Sequence, residues 1–439
     1  MTKFISRALK SYKSLRDTVN LGVIILCVGL IYWPVYKFRF LHGWDDQWAV
    51  LNFYTERGYT WSNIYSILTS FYEGQYAPVN QLYYSGLYYL FAYDPMYYHI
   101  ASVIIHLLNI LLVYYLIKKI ASKLSESTKL NDQDIAFLTT LLFAVSPFNL
   151  EPVVWVSASK VILYALFYLL SMHSYCLYLT NKKPQYFYLT LLLFVLSFGA
   201  KEQAVTLPFS LLLLDYIYKR KIKDSIIWLE KTPFFIASFL FGYVSIESQG
   251  KDLFEISNFY SLHERILLAC YTGSEYLTKL LFPLNLSYIY PFPFQAGESK
   301  PLYLWFYPIA GITLLLAYFE GLKRQKWLVF GILFFIIHLI LVVNLLSLAR
   351  FSIVADRYVY VASIGFYFLI STLFLKAFKK TCLKRPILAL GLIYLLYFIV
   401  YAHAHAYSWT NTLTLKDRLK KTIRARNDYD ALKTKLQKQ

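Results

Sequence analysis

The sequence lacks most of the motifs that announce a soluble enzyme. Four cysteines in 439 residues, Cys27, Cys176, Cys270 and Cys382, show no metal-ligand spacing and mostly lie in apolar surroundings, which excludes a zinc module or a disulfide framework. No Gly-rich phosphate loop, CxxC pair or HExxH motif occurs, so nucleotide hydrolysis and zinc hydrolysis have no support. Charge is scarce at 16%, and acidic charge is scarcer still, with 25 Asp and Glu against 44 Lys and Arg. No internal repeat stands out, which disfavours a transporter assembled from duplicated halves.

What remains is apolar. Hydrophobic residues make up 58% of the chain and aromatic residues 19%, and the mean hydropathy is +0.45. The apolar residues come in blocks of about twenty, the length one helix needs to cross a bilayer with its backbone hydrogen bonds closed internally. The net charge of +19 does not form one continuous basic face, as nucleic-acid binding requires. It sits in short loops between apolar blocks: Lys3 to Arg16, Lys118 to Lys129, Lys182 and Lys183, Lys219 to Lys223, Lys323 to Lys326, and Lys376 to Arg385. That is the positive-inside pattern.

The first apolar block follows a basic stretch without a small-residue cleavage site, so it reads as a retained anchor with a cytoplasmic N-terminus. Crossings are expected near 18–37, 96–118, 135–147, 157–180, 186–200, 203–218, 233–247, 301–320, 327–348, 359–378 and 386–406, about eleven in all. The block 263–282 carries Glu264, Arg265, Glu275 and Lys279, and charge alternation places it in the outer interface or re-entering. The expected protein is an all-α integral membrane protein of the plasma (inner) membrane. Residues 1–407 form its transmembrane domain, with outer loops 38–95 and 248–300 holding interfacial helices. Residues 408–439 form a short, basic, helical tail on the extracytoplasmic side, suited to anionic lipid.

Several charges collect on that side. Asp45 and Asp46 follow the first crossing, and such a pair serves as a general base, one carboxylate accepting a proton while the other orients or tunes it; a solvated loop pair or a helix cap is the plainer reading. Glu151, Lys160, Lys201, Glu202, Asp356 and Arg357 flank later crossings at the same level. Lys201 and Arg357 suit a phosphate, with snorkelling or mutual salt bridges as the alternative. His99 and His106, seven residues apart, share a helix face and either contact an acceptor or pack. Trp44 and Tyr76 belong to an aromatic-rich loop that stacks on sugar faces or forms an interfacial belt.

The order of these residues carries a resemblance. Asp45–Asp46, Tyr76–Ala77–Pro78, Tyr98–His99 with His106 and Asn109, Ser146–Pro147 with Glu151 and Trp155, Ala200–Lys201–Glu202–Gln203 with Pro208 and Asp215, and Ala355 to Tyr360 with Ser363–Ile364–Gly365 run through nearly the whole chain. Together they resemble the transmembrane-and-tetratricopeptide-repeat O-mannosyltransferases, polytopic GT-C glycosyltransferases. The resemblance implies a polyprenyl-phosphate-linked sugar as donor and an acceptor hydroxyl on a protein, glycan or lipid. It makes Asp45 or Asp46 the catalytic carboxylate and Lys201, Arg357 and Lys160 the phosphate-binding cations. Glu151, Glu202, His99, His106, Asp356, Trp44 and Tyr76 become supporting or acceptor-binding residues. No metal ligand is expected, although two adjacent acids can hold a hard cation. The sequence departs from the family in carrying Ala77 before Pro78 and Ser146 before Pro147, and no repeat array follows Trp409 to Asp430. A secondary transporter or lipid-carrier flippase is the competing expectation, and a non-catalytic assembly partner a third.

Overall fold

The computed structural model describes residues 2–249, 260–294, 297–317, 325–345 and 352–424. Parts of the expected 248–300 loop, of the crossings at 301–320 and 327–348, of the 408–439 tail, and the cations Lys323 and Arg324 lie outside the described residues. Among the described residues there is no strand, only an isolated bridge between Tyr72 and Gln75.

The helices are α1 (Thr2–Tyr32), four elements of the first loop, α2 (Asp46–Ala49), α3 (Phe53–Glu56), α4 (Trp61–Thr69) and α5 (Pro78–Phe91), then α6 (Pro95–Lys123), α7 (Ser125–Thr128), α8 (Asp132–Val145), α9 (Glu151–Val154), α10 (Ser159–Asn181), α11 (Pro184–Ala200), α12 (Leu207–Ile217) and α13 (Ser225–Gln249). They continue with α14 (Leu262–Leu281), α15 (Phe306–Ala317), α16 (Lys326–Leu339), α17 (Ala362–Lys380), α18 (Lys384–Ala406) and α19 (Thr412–Arg424).

Helices stand at each of the expected crossings, but their lengths differ. Five stretches, 14–37, 95–123, 156–181, 362–380 and 384–409, are long and apolar enough to span a bilayer, and α8 with the segment Pro147–Val154 makes a sixth if that bent pair is one span. Helix α11, the segment Leu302–Thr313 and α16 are apolar but shorter. Residues 203–218 do not form one long helix, because Glu202–Thr206 winds as a 3-10 turn and leaves α12 only 11 residues. The 263–282 block forms one continuous 20-residue helix, α14, opened by a capping box between Ser261 and Glu264.

Local chemistry sets the boundaries. Pro95 occupies the first turn of α6, and the Asp94 side chain accepts from the Met96 N–H at 3.0 Å. On α6, Ser102, His106 and Asn109 recur at helical spacing and are buried, a polar stripe that packs on protein and so avoids lipid. Asn109 donates to the Ile162 carbonyl at 2.8 Å, and His106 Nδ1 lies 2.6 Å from the Tyr360 hydroxyl.

Helix α10 packs along α11 and α6, α8 on α6 and α17, and α16 on α17. The last contact is close: a Cβ on Gly365 would meet the Gly331 carbonyl oxygen at 2.8 Å, so glycine sets the helix separation. Helix α18 stands at the periphery, with Leu390, Ile393, Leu396 and Val400 exposed outward, as a lipid-facing surface requires.

A 58° break separates α8 from the Pro147–Val154 segment. Pro147 has no N–H for the Phe143 carbonyl, and the Asn149 side chain supplies the donor at 3.0 Å. Asn149 also reaches the Ser363 hydroxyl at 3.1 Å, which ties the break to α17. The bend delivers Glu151 to the end of the bundle where α10 and α17 begin and α11 ends.

Candidate functional site

The two adjacent aspartates have different fates. Asp46 is fully buried: one carboxylate oxygen accepts from the Leu41 N–H at 2.8 Å, and the other accepts from the Ser157 N–H at 2.9 Å and from the Ser157 hydroxyl. Burial pushes its pKa up, the three donors pull it down, and the neighbouring Asp45 charge adds to the rise. Asp46 therefore clamps the first outer loop to the segment before α10. Asp45 is half-exposed, and among the described residues its carboxylate accepts no hydrogen bond. It lies within electrostatic reach of Lys160 and Tyr288.

Three cations converge opposite it. Lys160, in the first turn of α10, donates to the Gln75 side-chain carbonyl at 2.7 Å and feels the charges of Lys201, Glu202, Asp45 and Arg357. Helix α11 ends where Lys201 turns to extended backbone, and Lys201 lies 3.1 Å from Glu202 and 5.6 Å from the Tyr358 ring centroid. Glu202 is half-exposed by surface area yet crowded by protein on its inner side; that partial desolvation works to lift its carboxyl, but the Lys201 and Lys160 ammonium groups outweigh it and hold it at about 2. The approach of α5 to α11 just before Lys201 needs Gly199, where a Cβ would meet the Val79 side chain at 2.7 Å.

Arg357 is fixed from two sides. Its guanidinium lies 2.6 Å from Glu151, whose other oxygen accepts the Arg357 backbone N–H at 3.0 Å. It also stands over the rings of Trp155 and Tyr358, at 5.1 and 4.9 Å from their centroids. Asp356 turns the other way and accepts from the Tyr290 hydroxyl at 2.8 Å, and burial and the Glu151 charge push its pKa well up. Tyr276 of α14 braces this turn, its hydroxyl accepting from the Ala355 N–H at 3.2 Å.

Aromatic rings wall the site. Tyr288 packs against Trp44 at 4.4 Å, Trp155 at 5.2 Å and Trp409 at 5.8 Å, and Trp409 stacks on Trp155 at 5.8 Å. Thr410 and Thr412 bind the loop beside Asp45, the Thr410 carbonyl accepting from the Arg39 N–H at 2.9 Å and the Thr412 hydroxyl donating to the His42 carbonyl at 2.8 Å. The tail is thus part of the site wall.

Of the residues singled out in the sequence, Asp45, Lys160, Lys201, Glu202, Glu151, Arg357 and Trp44 gather here. Asp46 and Asp356 hold the flanking loops. Tyr76 packs against Phe71 and Phe198 and donates to the Leu68 carbonyl at 2.9 Å. His99 and His106 face the interhelical packing, against Phe38 and Tyr32 respectively. Sequence reasoning missed Ser157, Gln75, Tyr288 and Tyr290; only the Tyr288–Ile289–Tyr290 run in an aromatic loop gave a signal. Among the described residues no group of three or more His, Cys, Asp or Glu stands together as a metal site.

No family model matches the chain, and no curated protein matches it. Among solved structures, the crystal structure of the Archaeoglobus fulgidus oligosaccharyltransferase, tethered with an acceptor peptide containing the NVT sequon via a disulfide bond, aligns at 14% identity with a TM-score of 0.44. The alignment covers 94% of this chain and 58% of that one, so the chain spans little more than half of that protein's length. A likeness of this degree assigns neither fold family nor activity, and the functional reading rests on the residues themselves.

Proposed function

We propose that this chain is a membrane glycosyltransferase that moves a sugar from a polyprenyl-phosphate carrier to an acceptor hydroxyl of a protein, glycan or lipid. The observation that carries this reading is the convergence of Lys160, Lys201 and Arg357 opposite the uncommitted carboxylate of Asp45, at the bundle end away from the basic loops. The three cations are preorganised where a leaving phosphate develops charge. Asp45 takes the acceptor proton as the acceptor oxygen bonds to the anomeric carbon. The bond from that carbon to the phosphate oxygen breaks, and polyprenyl phosphate leaves with both electrons. By the positive-inside rule the site is extracytoplasmic. The order of motifs resembling the O-mannosyltransferases supports the same reading and favours mannose as the sugar.

The test is release of polyprenyl phosphate by purified protein in nanodiscs, supplied with lipid-linked sugar and acceptor. Asp45→Asn is expected to lower turnover by about 10²-fold or more with the melting temperature unchanged. Asp46→Asn is expected to destabilise by about 1–3 kcal/mol, because an amide oxygen cannot satisfy the donors of both Leu41 and Ser157. Full turnover by Asp45→Asn, or movement of intact donor across liposomes without cleavage, overturns the proposal.

A further inference from the structure

A cavity of about 50 Å³ lies under the first outer loop, beside the cation cluster but outside the chemistry described above. Its lining residues include Trp48, Tyr72, Gln75, Asn80, Gln81 and Lys160; Gln75 already accepts from Lys160 and Gln81 already donates to Thr55, which leaves Asn80 as the amide with an open acceptor. No carboxylate lines it. Flat rings beside amides suit a hydroxyl-rich ring compound, whose C–H face stacks on an aromatic surface while its hydroxyls pair with amides. Asn80 is 6% exposed, and its side-chain oxygen has no hydrogen-bond partner among the described residues. A buried acceptor left open costs free energy unless a ligand donor meets it.

Two wall residues tie the cavity to the reacting centre. Ser157 lines it and also clamps Asp46, the neighbour of Asp45. Lys160 lines it one turn further along and lies within electrostatic reach of Lys201, Arg357 and Asp45. A ring in the cavity therefore has the cation Lys160 in its wall, and Lys160 in turn lies within electrostatic reach of Asp45.

The third wall indicates how the ligand arrives. Ile67 and Ser70, on α4 and at its C-cap, face the cavity, whereas Trp61, Tyr65 and Leu68 point away from it and are 84%, 67% and 47% exposed. Spaced i, i+4 and i+7, these three form one aromatic and apolar face, the composition of a helix seated at the membrane–water boundary. This composition suits a cavity wall that meets lipid on its outer face.

We infer that this cavity receives one edge of the pyranose of the lipid-linked donor, the rest of the ring lying at its mouth, with Trp48 as stacking surface and Asn80 as hydroxyl reader. The inference rests on the glycosyltransferase reading for the identity of the carrier. It is tested by equilibrium binding with acceptor withheld, so that no turnover occurs. Polyprenyl-phosphate hexose, polyprenyl phosphate alone and free hexose are titrated into nanodisc-embedded wild type, Asn80→Ala and Trp48→Ala, with Trp48→Phe and Asn80→Ser as conservative variants. The expected result is an affinity loss of about tenfold for the sugar-bearing lipid in Asn80→Ala and Trp48→Ala, partial rescue by Trp48→Phe, and unchanged affinity for polyprenyl phosphate. Equal losses for both lipids, or no loss for either, overturn the inference. Tight binding of free hexose that the variants abolish, with the lipid donor unaffected, reassigns the cavity to an acceptor sugar and overturns it as a donor seat. Loss of transfer in Asp45→Asn with donor binding intact bears on the chemistry alone, so the two proposals fail separately.

Discussion

The two ends of the helical bundle use the same residue types to opposite effect. At the end where the basic loops lie, the charges are closed into networks. Asp215 receives Lys231 at 2.7 Å, Arg220 at 2.9 Å and the Tyr175 hydroxyl at 2.8 Å, and Glu230 accepts from both terminal nitrogens of Arg220, at 2.6 and 3.0 Å, and from the Tyr178 hydroxyl at 2.9 Å. Asp17 gathers Lys118, Tyr114 and Gln133 across α1, α6 and α8. Two acids meet two bases, and every strong donor finds an acceptor. Roughly 22 Å away along α10, Arg357 is closed on Glu151, but Lys160 is held by a neutral amide, Lys201 by a half-exposed glutamate, and Asp45 by no hydrogen bond among the described residues. A closed network fixes helices against one another, whereas an open one keeps charge available for a ligand.

Three substitutions probe that contrast, beginning with the most damaging. Lys231→Ala leaves the fully buried Asp215 short of a base, and a stability loss of about 3–5 kcal/mol is expected. It would be read as a fall in melting temperature, with unchanged turnover per folded molecule. Lys160→Gln at the opposite end should change the melting temperature little and weaken polyprenyl phosphate binding by about tenfold, since a surplus cation has been removed and no pair broken. If Lys160→Gln melts the protein as severely as Lys231→Ala, the contrast collapses.

The smallest effect concerns acid. Lys201 and Lys160 hold Glu202 at about 2 against its ordinary 4.5, so its ion pairing contributes stability that is fully present above about pH 4.5 and fades as pH falls toward 2. Because Glu202 is half-exposed, solvent screening limits the contribution to about 1 kcal/mol or less. Unfolding curves of wild type and Glu202→Gln should differ above pH 4.5 and converge near pH 2. Parallel curves across that window would place Glu202 outside the field of the two lysines.

Legibility in the sequence followed the solvent each segment meets. The crossings near 96–118 and 386–406 stood out because a lipid-facing helix must be apolar almost throughout, and charge beside such blocks flagged Glu151, Lys201 and Arg357. The 3-10 turn at Glu202–Thr206 was invisible, since the apolar run resumes at Ala204 and Val205 while the backbone has not yet become α-helical. The choice between Asp45 and Asp46 was equally hidden, because it depends on Ser157, 111 residues away. His99 and His106 were correctly placed on one helix face, but periodicity does not say whether that face meets a ligand or another helix, and here it meets Phe38, Tyr32 and Tyr360.

The stacking of Trp409 on Trp155 has a consequence in time. Trp409 follows every helix of the bundle, and Thr410 and Thr412 fasten the same segment to the loop at Arg39 and His42. On the ribosome these residues are made after α1 to α18. The wall that Trp409 completes therefore closes only when this segment folds back onto the loop at Arg39 and His42, which was made long before it.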